Sequence, residues 1–185
     1  MSRIAVNVSA RQFKQKSFLG MVRNVLEETG MPAQALELEI TETLLMDATR
    51  NVEITLARLS TMGIRLALDD FGTGYSSLSQ LRDLPIDEVK IDKSFVLGMS
   101  ANHHASFIAG SIIELAHNLG LNVVAEGVED QQTRKLLAEM GCDKLQGFLV
   151  SRPLPDDRLE SWLLARTGMR SAAPGAAHRR LFVRT

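Results

Sequence analysis

The sequence has little cysteine, tryptophan, tyrosine and proline, and it has no long apolar run. Its single cysteine, Cys142, excludes an internal disulfide and a cysteine-based metal cluster. No uninterrupted apolar stretch reaches the roughly 18 residues of a membrane-spanning helix, and no signal-peptide pattern opens the chain. We therefore expect a cytoplasmic segment without direct membrane contact, within a parent protein that could itself be anchored. We expect Cys142 to be buried and unreactive.

The sequence also lacks an excess of charge of either sign. It has 21 Lys and Arg residues against 22 Asp and Glu residues, so the formal net charge is −1. This balance argues against a nucleic-acid polymer or an anionic membrane as the main partner. A small anionic ligand held by metal ions is compatible with it. The length of 185 residues predicts one domain with a substantial core.

Short apolar stretches alternate with amphipathic helical segments along most of the chain. Near-continuous apolar strands separated by helices are typical of a parallel sheet covered by helices. The six predicted strands are Ile4–Val8, Leu36–Ile40, Ile64–Leu68, Glu88–Ile91, Asn122–Ala125 and Lys144–Val150. We read residues 1–167 as one domain and residues 168–185, rich in Ala, Pro, Gly and Arg, as a disordered tail.

The predicted helices are marked by their apolar faces and by the glycines that end them. The expected buried positions are Phe13, Phe18, Val22, Val25 and Leu26; Val52, Leu56 and Leu59; Ile108, Ile112, Leu115, Ala116 and Leu119; and Leu136, Leu137 and Met140. Gly63, Gly120 and Gly141 are expected to end three of these helices. We expect Asp156 to cap a last helix, His103–His104 to lie in a solvated loop, and His117 to lack a partner.

Polar side chains occur where each predicted strand ends, except in the sixth strand, which Gln146 interrupts. They are Asn7, Glu39, Glu42, Asp69, Asp70, Lys90, Asp92, Glu126, Glu129 and Gln146. The carboxyl ends of successive parallel strands meet at one mouth of a barrel, where such folds keep their chemistry. Solvated strand ends are the alternative, but six strands in succession favour a functional site.

The carboxylates among these residues suit a hard metal ion. Glu39, Asp69, Asp70 and Glu126 offer oxygen ligands, and Asn7 offers a neutral fifth; such a set favours Mg²⁺ or Mn²⁺ over zinc. Neighbouring side chains on a regular strand point to opposite faces, so both members of Asp69–Asp70 reach one site only if the backbone turns there. We expect Phe71–Gly72 to supply that turn. Two cations roughly 3.5–4 Å apart could then activate water for attack on a phosphoryl group.

Lys90 and the glycine-rich segment after Asp70 complete the predicted site. Lys90 would be a lone cation among acids that orients the attacking water or stabilises phosphoryl oxygens; a structural salt bridge is the alternative. A glycine- and hydroxyl-rich loop, Asp70–Ser77, opens a short helix and includes Phe71, Gly72, Thr73 and Gly74. It either positions Asp69–Asp70 or forms an ordinary turn. The residues alone do not distinguish a phosphodiester from other oxyanion substrates.

Taken together, the motifs resemble those of EAL domains, from residue 3 to about residue 165. They are Asn7–Ser9, Glu39–Glu42, Asp69–Leu78, Pro85–Asp92, Ala125–Glu129, Gln146–Phe148 and Ser151–Leu154, in the family's order. The resemblance implies an α/β fold, a (β/α)8 TIM-type barrel of which about six of eight strands are present. It also implies hydrolysis of cyclic di-GMP to linear pGpG with two Mg²⁺ or Mn²⁺ ions in each active site.

The resemblance further implies roles for individual residues. Asn7, Glu39 and Asp69 correspond to ligands of a first metal, and Asp69, Asp70 and Glu126 to ligands of a second. Lys90 corresponds to a lysine that contacts the catalytic water, and Gln146 to a supporting residue of the catalytic pocket. Glu42 and Glu129 correspond to glutamates that brace the Asp70–Ser77 loop. Arg152 and Pro153 are candidate substrate contacts.

The chain departs from the family pattern in one respect: the Glu-Ala-Leu motif does not occur in it. In the family its glutamate completes the first metal site, and we expect it on a strand before Arg3 that this chain lacks. An impaired cyclic di-GMP receptor or a dimerising regulatory module is therefore the alternative to a phosphodiesterase. The resemblance also implies a homodimer and allows a sensor or GGDEF domain upstream in the parent protein.

Overall fold

The computed structural model describes residues 3–46, 50–74 and 78–167. The end of the glycine-rich loop, residues 75–77, and the predicted tail, residues 168–185, lie outside the described residues. The chain divides after Val150 into two compact units. The first unit contains the sheet, and the described part of the second contains one helix.

Six parallel strands form the sheet, in the order in which they occur along the chain. They are β1 (Ile4–Val8), β2 (Leu36–Thr41), β3 (Arg65–Phe71), β4 (Glu88–Ile91), β5 (Asn122–Ala125) and β6 (Lys144–Leu145). Each strand pairs in parallel with the next, from β1 with β2 to β5 with β6. The predicted parallel α/β architecture is confirmed, as a half-barrel of six strands.

Helices connect the strands in the manner of β/α units. They are α1 (Ala10–Phe13), α2 (Phe18–Thr29), α3 (Glu42–Met46), α4 (Arg50–Thr61), α5 (Leu78–Asp83), α6 (Lys93–Val96), α7 (His103–Asn118), α8 (Gln131–Glu139) and, in the second unit, α9 (Asp156–Thr167). Gly63, Gly120 and Gly141 follow α4, α7 and α8 with positive φ, as predicted for helix ends. None of the described helices has the length and apolar character needed to cross a membrane.

Alternate side chains of the strands form two rows, one in the core and one on the face of the candidate site. One row packs under the helices and is almost fully buried: Leu38, Ile40, Leu66, Leu68, Val89, Ile91, Val123 and Ala125. Because side chains alternate along a strand, the residues between them form a second row on the opposite face. That second row contains Ala67 and Val124 but also four buried polar residues, Glu37 and Glu39 on β2 and Glu88 and Lys90 on β4.

The last strand is shorter than the predicted Lys144–Val150 segment. It ends at Leu145, after which Gln146 N still donates to Ala125 O and Gln146 O accepts from Val128 N. Gly147 then passes so close to Val128 that a Cβ on it would lie 2.3 Å from the Val128 carbonyl oxygen. The chain turns away at this point, so Gln146 follows the strand and does not interrupt it.

Two predicted helix faces differ from the observed ones. In α7 the buried residues are Ala109, Ile113 and Ala116, and Ile108 is 40% exposed. In α2 Val22 and Leu26 are buried as predicted, but Val25 is 46% exposed. The buried face of α7 is therefore rotated from the predicted one, toward Ala109 and Ile113.

Smaller corrections concern single polar residues. His103 and His104 begin α7, where Asn102 caps the helix by accepting from His104 N at 2.9 Å. His117 has a partner, because its Nε2 lies 2.9 Å from Asp143 Oδ2. Asp156 is the first residue of α9 and not its cap. Cys142 is half-buried, and burial raises the pKa of its thiol, which agrees with an unreactive side chain.

Candidate metal centre

The carboxyl ends of the first five strands bring five polar side chains together. Asn7 on β1 lies beside Glu39 on β2 in the strand register, and Asp69 on β3 lies beside Thr41. Lys90 is on β4, and Glu126 follows β5 directly, with its amide donating to Ile91 O. The predicted convergence of strand ends therefore produces one cluster, and the contacts within it are close.

Lys90 lies at the centre of the cluster and is only 3% exposed. Its Nζ is 2.9 Å from Glu39 Oε2, 2.9 Å from Asp69 Oδ1 and 2.7 Å from Glu126 Oε1. Three carboxylates from three different strands thus share one ammonium group. The Asn7 amide, oriented as a donor, reaches Glu39 Oε2 at 3.1 Å and Asp69 Oδ2 at 3.2 Å.

The protonation of these groups follows from burial and mutual contact. Burial raises the pKa of Glu39 and of Glu126, while their hydrogen bonds with Lys90 act in the opposite direction. Burial also works against the charge on Lys90, but its bonds with Glu126 and Glu39 and its contact with Asp69 outweigh this and raise its pKa. Lys90 is therefore an ammonium donor in this cluster.

Asp69, Asp70 and Glu126 form a set of oxygens that fits a cation. Each offers one carboxylate oxygen, and these oxygens all lie within 4.8 Å of one another. Asp69 Oδ1 is buried, and although Lys90 Nζ is 2.9 Å away, the geometry is not that of a hydrogen bond. A buried acceptor with no hydrogen bond, next to two further carboxylates, is an arrangement that a hard divalent cation satisfies.

The backbone at Asp70 explains how adjacent aspartates reach the same cluster. Asp70 has φ of +56°, the one positive φ among the described non-glycine residues. The pairing of β3 with β4 shifts register between Leu68 and Phe71, which marks a bulge at this point. The turn therefore occurs at Asp70 itself, inside β3, and not first at Phe71–Gly72 as predicted. Thr73 stabilises it by donating from N and Oγ1 to Asp70 O, at 3.3 and 2.8 Å.

The predicted loop-bracing residues differ in what they contact. Glu42 is 4% exposed, and its Oε2 accepts from Gly74 N at 2.9 Å, so it touches the glycine-rich loop. Glu129 is exposed and makes no hydrogen bond or ion pair with the part of the chain that the structure describes. Gln146 is also exposed, at the end of β6. Arg152 and Pro153 belong to the second unit and stay predictions.

Asp92 follows β4 directly, and the sequence predicts no role for it beyond its place at a strand end. Its charge contributes, after burial and the charge of Asp69, to raising the pKa of Asp70. Its Oδ1 accepts from Ser94 N at 2.9 Å and so caps α6. The spacing Lys90–Ile91–Asp92 was a usable signal, because alternate residues of a strand point to the same face.

Comparison with known proteins identifies the family of this chain. The sequence matches the family model of the EAL domain over residues 1–153. This chain belongs to the EAL domain family. It is 46% identical over 163 residues to the cyclic di-GMP phosphodiesterase NbdA of Pseudomonas aeruginosa, covering 88% of this chain and 21% of that protein. It is 44% identical over 161 residues to the signaling protein YkoW of Bacillus subtilis, covering 87% and 20%. The EAL chain thus spans about a fifth of the length of these relatives.

Solved EAL structures have the same fold. The PaMucR phosphodiesterase in complex with c-di-GMP superimposes with a TM-score of 0.81 at 41% identity, covering 85% of this chain and 64% of that one. The EAL domain of Mycobacterium smegmatis DcpA gives 0.83 at 39% identity, covering 89% and 73%. Klebsiella pneumoniae BlrP1, in a complex with manganese and cyclic di-GMP, gives 0.75 at 32% identity, covering 82% and 39%.

Proposed function

We propose that this chain is a metal-dependent phosphodiesterase domain that hydrolyses cyclic di-GMP to linear pGpG. The observation that carries the proposal is the convergence of Glu39, Asp69 and Glu126 on the buried Lys90, with Asp70 alongside. Four carboxylates against one ammonium leave an excess of negative charge that divalent cations would balance. A similar relative is named a cyclic di-GMP phosphodiesterase, and similar solved structures contain that nucleotide.

The oxygen ligands divide naturally between two cations. Asn7, Glu39 and Asp69 would hold the first, and Asp69, Asp70 and Glu126 would hold the second, with Asp69 shared. Oxygen ligands without histidine or cysteine suit Mg²⁺ or Mn²⁺. When bound, such a pair supplies an activated water and neutralises charge on the phosphoryl group during in-line displacement.

The protein's own residues would orient the reacting atoms. The Lys90 ammonium carries three donors and no acceptor, so it can orient a water or bind a phosphoryl oxygen but cannot accept a proton. Gln146, exposed just beyond β6, would be a supporting polar group of the substrate pocket. Arg152 and Pro153 would contact the substrate. Glu42, through Gly74 N, would hold the loop that carries Asp70, and Glu129 would assist it.

The test is hydrolysis of cyclic di-GMP by the whole chain with Mg²⁺ or Mn²⁺, with pGpG measured by chromatography. Asp69→Asn should reduce turnover by more than about 100-fold, because changing residues that merely support metal ligands already costs about 10- to 100-fold. Asp83→Asn is the matched control, since Asp83 is 65% exposed and its ion pair is with the neighbouring Arg82. Near-normal turnover by Asp69→Asn would show that the shared-ligand role is wrong.

A different result would favour the receptor function. If the unmodified chain bound cyclic di-GMP with either ion present but formed no pGpG, the domain would sense the nucleotide and not cleave it. The homodimer is a separate proposal, which sedimentation of the chain with and without the nucleotide would test.

A further inference from the structure

Asp70 is the least constrained acid of the candidate metal centre. It is the exposed member of the Asp69, Asp70 and Glu126 group, whereas the other two are partly buried. Its carboxylate accepts no hydrogen bond from the described residues, and its backbone oxygen is the atom that Thr73 contacts. The position of this carboxylate therefore depends on the backbone of the turn from Asp70 to Gly74.

One side of that turn rests against an aromatic ring. A Cβ placed on Gly72 would lie 3.0 Å from Phe95 Cε2, 3.4 Å from Phe95 Cζ and 3.3 Å from Ile112 Cδ1. The ring and the isoleucine methyl group thus occupy the space that a side chain at position 72 would need. Gly72 also has φ of +96°, a region that favours glycine. The backbone of the turn packs directly on the Phe95 ring.

Phe95 is itself fixed by its short helix. Asp92 caps α6 by accepting from Ser94 N, and Phe95 N donates to Asp92 O at 3.1 Å. The side chain is partly buried against the hydrophobic core. Since α6 directly follows β4, the segment that carries Lys90 into the cluster also carries Phe95 under the turn.

We propose that Phe95 is a positioning residue for metal binding. Through Gly72 it keeps Asp70 in its left-handed conformation and so directs the Asp70 carboxylate toward Asp69 and Glu126. Glu42 holds the other end of the turn through Gly74 N. The inference rests on the proposed function, because it assigns Phe95 to the cation that Asp70 shares with Asp69 and Glu126.

The test is a Mn²⁺ titration of the whole chain, followed by the electron paramagnetic resonance signal of the free ion. The unmodified chain should bind Mn²⁺ at the Asp69, Asp70 and Glu126 site, and any second ion should bind more weakly because the Glu-Ala-Leu glutamate does not occur in the chain. Phe95→Leu should weaken the ion held by Asp69, Asp70 and Glu126 by about 10-fold or more and leave any second ion unchanged, since it disturbs one supporting contact. Val96→Ala is the matched control, because Val96 is buried in the same helix and packs in the core. It should lower the melting temperature without changing the Mn²⁺ affinity.

The outcomes separate this inference from the proposed function. If the unmodified chain binds no Mn²⁺, the proposed function fails. If it binds Mn²⁺ and Phe95→Leu binds each ion as tightly, the inference about Phe95 is wrong and the proposed function stands. Gly72→Ala changes the other partner of the Phe95–Gly72 contact and should weaken binding of the same ion. In the variant that combines Phe95→Leu with Gly72→Ala, the two losses of Mn²⁺ affinity should be less than additive. Full additivity would overturn the inference.

Discussion

Two layers of charged side chains lie at opposite ends of the strands, and they differ in how their charges are matched. At the carboxyl ends of the strands, Glu39, Asp69 and Glu126 share Lys90. At the amino ends, each acid has a base of its own: Arg3 pairs with Glu37 at 4.0 Å, Arg65 with Asp87 at 3.7 Å, and Lys144 with Glu88.

This difference distinguishes a structural layer from a functional one. In the amino-end layer every carboxylate has a basic partner, so no carboxylate is left in excess. The carboxyl-end layer keeps an excess of carboxylates, which costs stability unless a cation is added. The two layers share strands but differ in burial, since the side chain of Lys90 is 4% exposed whereas those of Arg3, Arg65 and Lys144 are 27–44% exposed.

Removing the shared cation should have the largest effect on stability. Lys90→Met leaves buried carboxylates without a partner and should lower the free energy of unfolding of the metal-free protein by about 3–5 kcal/mol. Saturating Mn²⁺ should recover most of this loss, because the ion binds only the folded carboxylate cluster. Urea denaturation with and without Mn²⁺ measures both effects. Failure of Mn²⁺ to restore stability would mean that Lys90 forms an ordinary structural salt bridge.

The corresponding change in the amino-end layer should be smaller and insensitive to metal. Lys144→Met leaves the buried Glu88 without its ion-pair partner. The effect is limited because Lys144 is 44% exposed and water already screens the pair. We expect a loss of about 1–2 kcal/mol, equal with and without Mn²⁺. Adding Glu88→Met to this variant should recover stability, since apolar residues replace buried pairs at little cost. If Mn²⁺ alone restored the stability of Lys144→Met, the amino-end layer would also respond to metal and the distinction between the two layers would be wrong.

The smallest expected effect is at the amino end of β6, and it depends on pH. Burial acts to raise the pKa of Asp143, but hydrogen bonds from His117 and Val123 N outweigh it and lower the pKa. The stabilisation is therefore present above the ordinary aspartate pKa of about 3.9 and is lost as pH falls through the lowered value. Asp143→Asn should cost about 0.5–1 kcal/mol at pH 7. Denaturation curves of the two proteins should converge below pH 4, and a constant difference would contradict the ionic contribution.

The sheet and the five clustered residues could be predicted because their signals are local. Apolar runs predict buried parallel strands, and a polar residue at the end of each run predicts where the strands expose their chemistry. Three of the six predicted strands have the bounds found in the structure: Ile4–Val8, Glu88–Ile91 and Asn122–Ala125. The position of Lys90 among acids follows from the same alternation.

Other features depend on contacts between distant segments and could not be predicted. The short β6 results from the close approach of Gly147 to Val128. The turn inside β3 requires a left-handed aspartate, which the sequence does not distinguish from a regular strand residue. The ion pairs at the amino ends could not be predicted because Glu37 and Glu88 lie within otherwise apolar strands and their partners lie on other elements.

The left-handed backbone of Asp70 limits how this site can evolve. Among side chains other than glycine, asparagine and aspartate tolerate that conformation best, and most others cost about 1–2 kcal/mol. Asparagine and glycine would preserve the backbone but would remove the negative charge. Glutamate would preserve the charge but not the backbone preference. Position 70 therefore has two independent requirements, a negative charge and a left-handed backbone, and glutamate meets only the first of them.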